Sequence, residues 1–178
     1  MGKLKTGNAS VTNDAIMNKT FIDTNKEPFC PNSLTIETHK KGGEIDLGEC
    51  SLYLSEKQKN WYITGTELQR ELEDKNPLNA CVLDYLLEHT DLIPDIWKDK
   101  YIFFWGTIYR HPYGFLCVRS LYWDGESWYW NSFWLGDGWC GSGPALTLNS
   151  LLEKKQKIGM SGGMRWGRPH IRSFFSWF

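Results

Sequence analysis

Phe115-Leu116-Cys117-Val118-Arg119-Ser120-Leu121-Tyr122-Trp123-Asp124-Gly125-Glu126-Ser127-Trp128-Tyr129-Trp130-Asn131-Ser132-Phe133-Trp134 reads as two strands around a turn. Aromatic and β-branched residues favour extended backbone, and Asp-Gly tolerates the positive φ that a two-residue hairpin loop needs. With Asp124-Gly125 as the loop, Trp123 faces Glu126, Leu121 faces Trp128, Arg119 faces Trp130, Cys117 faces Ser132 and Phe115 faces Trp134. A second turn is expected at Arg110-His111-Pro112-Tyr113-Gly114. Pairing Tyr109 with Phe115 then places Trp105 opposite Arg119 and Phe103 opposite Leu121. A one-residue slip would exchange the faces of that first strand.

The expected product is a three-stranded antiparallel meander with unequal faces. One face carries Ile102, Phe104, Ile108, Leu116, Val118 and Phe133 and is apolar enough to pack on helices. The other carries Phe103, Trp105, Arg119, Trp123, Trp128, Trp130 and Trp134, with a Trp105–Arg119–Trp130 row at its centre. Residues 101 to 140 hold 15 aromatic and only five charged residues. Such a surface serves either as a second core under the N-terminal segment or tail, or as a binding face.

Upstream, Thr64-Gly65-Thr66-Glu67 has capping-box spacing, so a helix is expected to about Asp74 with Leu68 and Leu72 on one side. Asn76-Pro77 then reads as the cap and first residue of a second helix. Leu78, Cys81, Val82, Tyr85 and Leu86 follow helical spacing up to about His89. Asp84 and Glu88 fall on its polar side and read as a solvated face. Leu34–Thr38 and Ser51–Leu54 are short strand candidates, with a turn at Lys41–Glu44. The fold class expected is therefore α+β: two helices on one face of the meander, with short N-terminal strands. Residues 1–20 read as a flexible lead segment, 21–148 as one domain and 149–178 as a basic aromatic tail.

Leu78-Asn79-Ala80-Cys81-Val82-Leu83-Asp84-Tyr85-Leu86-Leu87, followed by Leu92-Ile93-Pro94, Trp97-Lys98 and Phe103-Phe104-Trp105-Gly106-Thr107-Ile108-Tyr109-Arg110, resembles a group of small uncharacterised bacterial and metagenomic proteins. The likeness runs from about Phe21 to about Ala145. It implies a compact intracellular domain of bacterial or phage type and no particular activity.

Length and charge narrow the function. At 178 residues and 20.7 kDa, the chain is long enough for a core without staples. The net charge of −1 conceals an asymmetry, for residues 154–178 carry six Lys or Arg and no Asp or Glu. The five cysteines include no Cys-x-x-C, and the four histidines are scattered, so no metal site is expected. The polar first 30 residues show no export signal, which points to reduced thiols and a cytoplasmic location. Met1-Gly2-Lys3-Leu4-Lys5-Thr6 matches a short myristoylation pattern, and Asn8 and Asn18 head glycosylation sequons. No phosphate loop, nucleophile elbow or His-Glu-x-x-His pattern occurs. A Cys117–His111 pair with Asp137 is the one nucleophile arrangement worth naming.

The reading is thus a non-enzymatic binding protein with no cofactor, of the kind a phage or mobile element carries as an accessory. Its binding residues are Trp105, Arg119, Trp123, Trp128, Trp130 and Trp134. A protein partner ranks first, because aromatic and Arg anchors predominate at such interfaces. Carbohydrate stacked on the tryptophans ranks second, and an enzyme of other chemistry third. The tail supplies Lys154, Lys155, Lys157, Arg165, Trp166, Arg168, Arg172 and Trp177. Contact with nucleic acid or an anionic membrane through these residues ranks below docking on a protein surface.

Overall fold

The computed structural model describes residues 19–149. In chain order, the strands are β1 (Phe21–Asp23), β2 (Thr35–His39), β3 (Glu44–Asp46), β4 (Cys50–Tyr53), β5 (Ile63–Thr64), β6 (Ile102–Phe103), β7 (Thr107–Arg110), β8 (Leu116–Trp123), β9 (Trp128–Trp134), β10 (Gly138–Trp139) and β11 (Ala145–Leu148). The α-helices are α1 (Glu56–Asn60), α2 (Gly65–Glu71) and α3 (Ala80–Glu88). Residues 1–18 of the lead segment and residues 150–178 of the tail, with every tail contact residue named above, lie outside the described residues.

Strand accounts for 34% of the described residues and helix, short 3-10 turns included, for 23%. The centre is a curled seven-stranded mixed sheet in the order β2-β7-β8-β6-β11-β4, with β9 also on β8. This corrects the expected α+β meander under two helices. The short upstream strands do not flank a separate meander; β2 pairs with β7, and β4 pairs with β11. The single parallel contact is Ala145 with Phe103.

The 115–134 hairpin forms, but its turn is displaced by one residue. Asp124 accepts at Oδ1 from the N–H groups of Glu126 and Ser127, both at 2.8 Å. That Asx-turn makes Asp124 the first residue of the turn, and Gly125 alone takes positive φ, at 112°. Trp123 therefore pairs with Trp128, Leu121 with Trp130, Arg119 with Ser132 and Cys117 with Trp134. The expected pairings are each off by two residues. A shift of two leaves every side chain of the hairpin on its expected face.

The preceding strand behaves differently. It is broken into β6 and β7, which share one edge of β8 at opposite ends while β9 covers the other edge. Between them, Trp105-Gly106 leaves the ladder, while Phe104 N–H still donates to Arg119 O at 3.1 Å. Gly106 donates to Leu78 O at 2.9 Å. A Cβ on it would lie 2.7–2.8 Å from the backbone of Pro77, Leu78 and Asn79, so the approach needs glycine. Tyr109 pairs with Cys117, but Ile102, not Phe103, pairs with Leu121. The face exchange that a slip would cause occurs across this excursion.

The helices consequently lie on opposite faces, not together on one. On one face, Val82, Leu83 and Leu86 of α3 pack with Ile102, Phe104, Leu121 and Leu146. On the other, Leu68 and Leu72 pack with Phe103, Trp105, Ile108, Val118 and Trp139. α2 begins at the expected capping box: Thr64 Oγ1 accepts from Glu67 N–H, and Glu67 Oε2 accepts from Thr64 N–H. α3 does not begin at Asn76-Pro77. Residues 76–78 instead run alongside β11, with Leu78 N–H on Leu146 O and Leu148 N–H on Asn76 O. The cap is Asn79, whose Oδ1 accepts from Cys81 N–H and whose Nδ2 donates to the carbonyls of Thr24 and Lys40. No helix among the described residues is long and apolar enough to cross a membrane.

Candidate binding surface

Arg119 lies at the middle of β8, on the face towards α3, and only 1% of it is exposed. A buried guanidinium needs a counter-charge and acceptors. Its Nη1 donates to Asp84 Oδ1 at 2.9 Å and to Phe29 O at 3.0 Å. Asp84 Oδ2 in turn accepts from Phe29 N–H at 2.7 Å. The loop between β1 and β2 is thereby pinned across the sheet, with Phe29 as its latch. Tyr109 Oη also donates to Phe29 O, at 3.1 Å, and burial pushes its hydroxyl up to about 12.

Rings enclose the rest of the guanidinium. Its carbon lies 4.7 Å from the Trp130 ring centre, 5.1 Å from Phe29 and 6.0 Å from Tyr109. Arg119 Nε has no hydrogen-bond partner. Contact with π faces offsets part of that cost, by roughly 1 kcal/mol per favourable ring. Arg119 thus fastens a loop over the sheet and is sealed from any ligand.

The other expected residues divide. Trp130 stands on the expected side of Arg119. Trp105 is not opposite it: it is 4% exposed and belongs to the α2 core, 4.9 Å from Trp139. The face exchange at residues 105–106 put it there. Trp123 and Trp128 pack edge to face at 5.4 Å, with Lys98 Nζ 4.5 Å over the Trp123 ring. Trp134 is 49% exposed and stacks on Phe115 at 5.0 Å and 16°. Phe29 meets Trp130 edge-on at 5.8 Å. Trp130, Trp134, Phe115 and Phe29 thus form a nearly uncharged apolar strip on this face of β9, while Tyr129 lies on the opposite face beside Tyr122.

Sequence reasoning missed Phe29, Tyr109 and Asp84. For Asp84, the available signal was that Ala80–Leu83 and Leu86 leave α3 with almost no solvated face. A carboxylate in such a helix calls for a buried cation. Nothing local marked Phe29, which reaches Arg119 through its backbone. Next to it, Asp23, Glu27, Glu44, Asp84 and Glu88 line an acidic cavity of about 410 Å³ with Lys26 as the single cation.

Nucleophilic chemistry finds no support at Cys117. It is 1% exposed, and burial pushes its thiol up, opposite to what attack requires. The Cys140 thiol is shifted down, chiefly by its hydrogen bond with Ser142, yet has no base beside it. Among the described residues, no three His, Cys, Asp or Glu side chains are grouped as a metal would require.

Comparison with known proteins found no matching family model, no matching curated protein and no matching solved structure.

Proposed function

We propose that this chain is a non-catalytic binding protein that holds a protein partner against the aromatic strip of β9, within a bacterial or phage-infected cytoplasm. The observation that carries the reading is the exposure of Trp134, Phe115, Trp130 and Phe29 on one face of a strand without charge. Large apolar rings left in water on a chain with two well-filled cores are characteristic of interaction sites. Trp and Tyr give much contact area for few ordered torsions, so they dominate the energetic centre of protein interfaces. The five free cysteines fit a reducing compartment.

The test couples capture to folding. Immobilised full-length chain and its Trp134→Ala variant are exposed to bacterial lysate, and bound proteins are identified by mass spectrometry. The same two proteins are melted calorimetrically and titrated with oligosaccharides by tryptophan fluorescence. The expected result is a saturable protein partner lost in the variant, with stability changed by less than about 1 kcal/mol. Identical capture by both proteins would reject the strip as the site. Saturable quenching by a sugar would transfer it to carbohydrate.

A further inference from the structure

Where Trp105-Gly106 breaks the ladder, a cavity of about 350 Å³ opens between the end of β2 and the end of α2. Leu72, Pro77, Trp105 and Ile108 give it apolar walls. Four buried side-chain nitrogens lack a hydrogen-bond partner among the described residues, and two of them, His39 Nε2 and Trp105 Nε1, belong to residues that line this one cavity. Buried polar groups are ordinarily satisfied, so two orphans at one cavity call for an occupant. Trp105 is 4% exposed, and its indole N–H can only donate. The same role is imposed on His39. Thr107 is fully buried, and its Oγ1 accepts from Ala80 N–H at 3.0 Å. Among the described residues, the acceptor for its hydroxyl proton is His39 Nδ1, at 2.9 Å. That bond makes Nδ1 an acceptor and leaves the ring proton on Nε2.

We propose that this cavity binds a small monocarboxylate with an apolar body, its carboxylate oxygens accepting from His39 Nε2–H and Trp105 Nε1–H. A carboxylate offers acceptors and no proton, which matches a lining whose two orphans are both donors. A neutral amide would bring N–H groups that neither orphan can accept. A lone water would leave its own protons against apolar walls. Size agrees, because small-ligand sites begin at roughly 300 Å³ and are mostly apolar with a few placed polar groups.

Two exposed residues of opposite charge, Lys40 and Glu73, stand at the mouth. Lys40 Nζ has one partner among the described residues, Asn76 Oδ1 at 3.4 Å. So long a contact leaves the ammonium able to turn towards a bound anion and offset Glu73. The cavity lies on the α2 side of the sheet, where Trp105 packs with Leu68 and Leu72. The rings of β9 that hold a protein in the reading above face the α3 side. The two sites therefore stand or fall separately.

Titration of the full-length chain with benzoate and with hexanoate tests the inference, with benzamide as the neutral control. Side-chain NMR follows the Trp105 indole and the His39 imidazole, and calorimetric titration gives the affinities. Both signals are expected to shift saturably with each carboxylate at millimolar concentration, and benzamide should bind at least about tenfold more weakly than benzoate. Trp105→Phe keeps a ring in the α2 core and removes the donor, and His39→Leu removes the other donor. Each should weaken benzoate by about tenfold or more, whereas His39→Gln, which again presents an N–H, should recover most of the loss. No shift of either signal with either carboxylate would overturn the proposal and leave the two donors to water. Benzamide binding as tightly as benzoate would overturn the carboxylate class. Benzoate affinity unchanged in both Trp105→Phe and His39→Leu would overturn the site. The titrations of the parent chain decide even if a variant does not fold.

Discussion

Asp84 shows how one carboxylate can hold several parts of a molecule. It neutralises Arg119 and accepts the backbone N–H of Phe29, so helix, sheet and loop meet at two oxygen atoms. Its own side chain is 24% exposed, whereas that of Arg119 is 1% exposed. Water therefore shields the acid but cannot reach the base. Removing the acid leaves a dry, unpaired cation, which costs far more than losing a surface pair. Asp84→Ala is expected to destabilise the protein by about 3 kcal/mol and lower the melting midpoint by roughly 10 °C. Arg119→Met, which removes the charge but keeps much of the packing, should cost less. Calorimetric melts of both variants check the order, and the reverse order would mean that Arg119 reaches solvent in solution.

At the scale of elements, the hairpin turn illustrates how a side chain sets a register. Two backbone donors aimed at Asp124 hold its carboxyl below the usual carboxylate range. Its pKa is thus lower folded than unfolded. The associated stability is present above the unfolded value and is lost as pH falls through the folded one. An NMR titration should find Asp124 ionised at pH values where a free aspartate is already protonated. Asp124→Asn keeps an acceptor oxygen and removes the titration, so the acid-side fall in stability should become shallower. An unchanged acid limb would show that the carboxylate does not cap the turn.

The excursion at Trp105-Gly106 has the wider consequence. This break in the ladder reverses the faces between β6 and β7. Aromatic residues that look alike in sequence are thereby distributed between two cores: Ile102 and Phe104 go to α3, and Phe103 and Trp105 to α2. Gly106 makes this possible by touching the 77–79 backbone.

For the whole molecule, the two cores lie on opposite faces of one sheet and share β8. Leu121 belongs to one core and Val118 to the other, so neither can melt without disturbing the same strand. Leu86→Ala on the α3 side and Leu68→Ala on the α2 side should each lower a single cooperative transition, by roughly 2–5 kcal/mol. Coincident far- and near-ultraviolet circular dichroism melts are the check. Separate transitions would mean that the faces fold independently.

Several local features were legible from the sequence because local chemistry sets them. The Thr64–Glu67 box caps α2 through groups three residues apart. The end of α3 near His89 follows its hydrophobic spacing, and the alternation of 116–134 assigns the hairpin faces correctly even with the register off by two. Contacts between distant residues decided the rest. Residues 76–78 run beside β11 because Leu146 and Leu148 offer them backbone partners, with Asn76 in the left-handed region at φ 49°. Trp105 is core because Gly106 meets backbone nearly thirty residues upstream. Arg119 is sealed because the Phe29 carbonyl and the Asp84 carboxylate converge on it from two other parts of the chain. Spacing along a chain encodes what neighbouring residues can do with one another. Which surfaces remain open to water depends on long-range closure, and only the assembled sheet determines it.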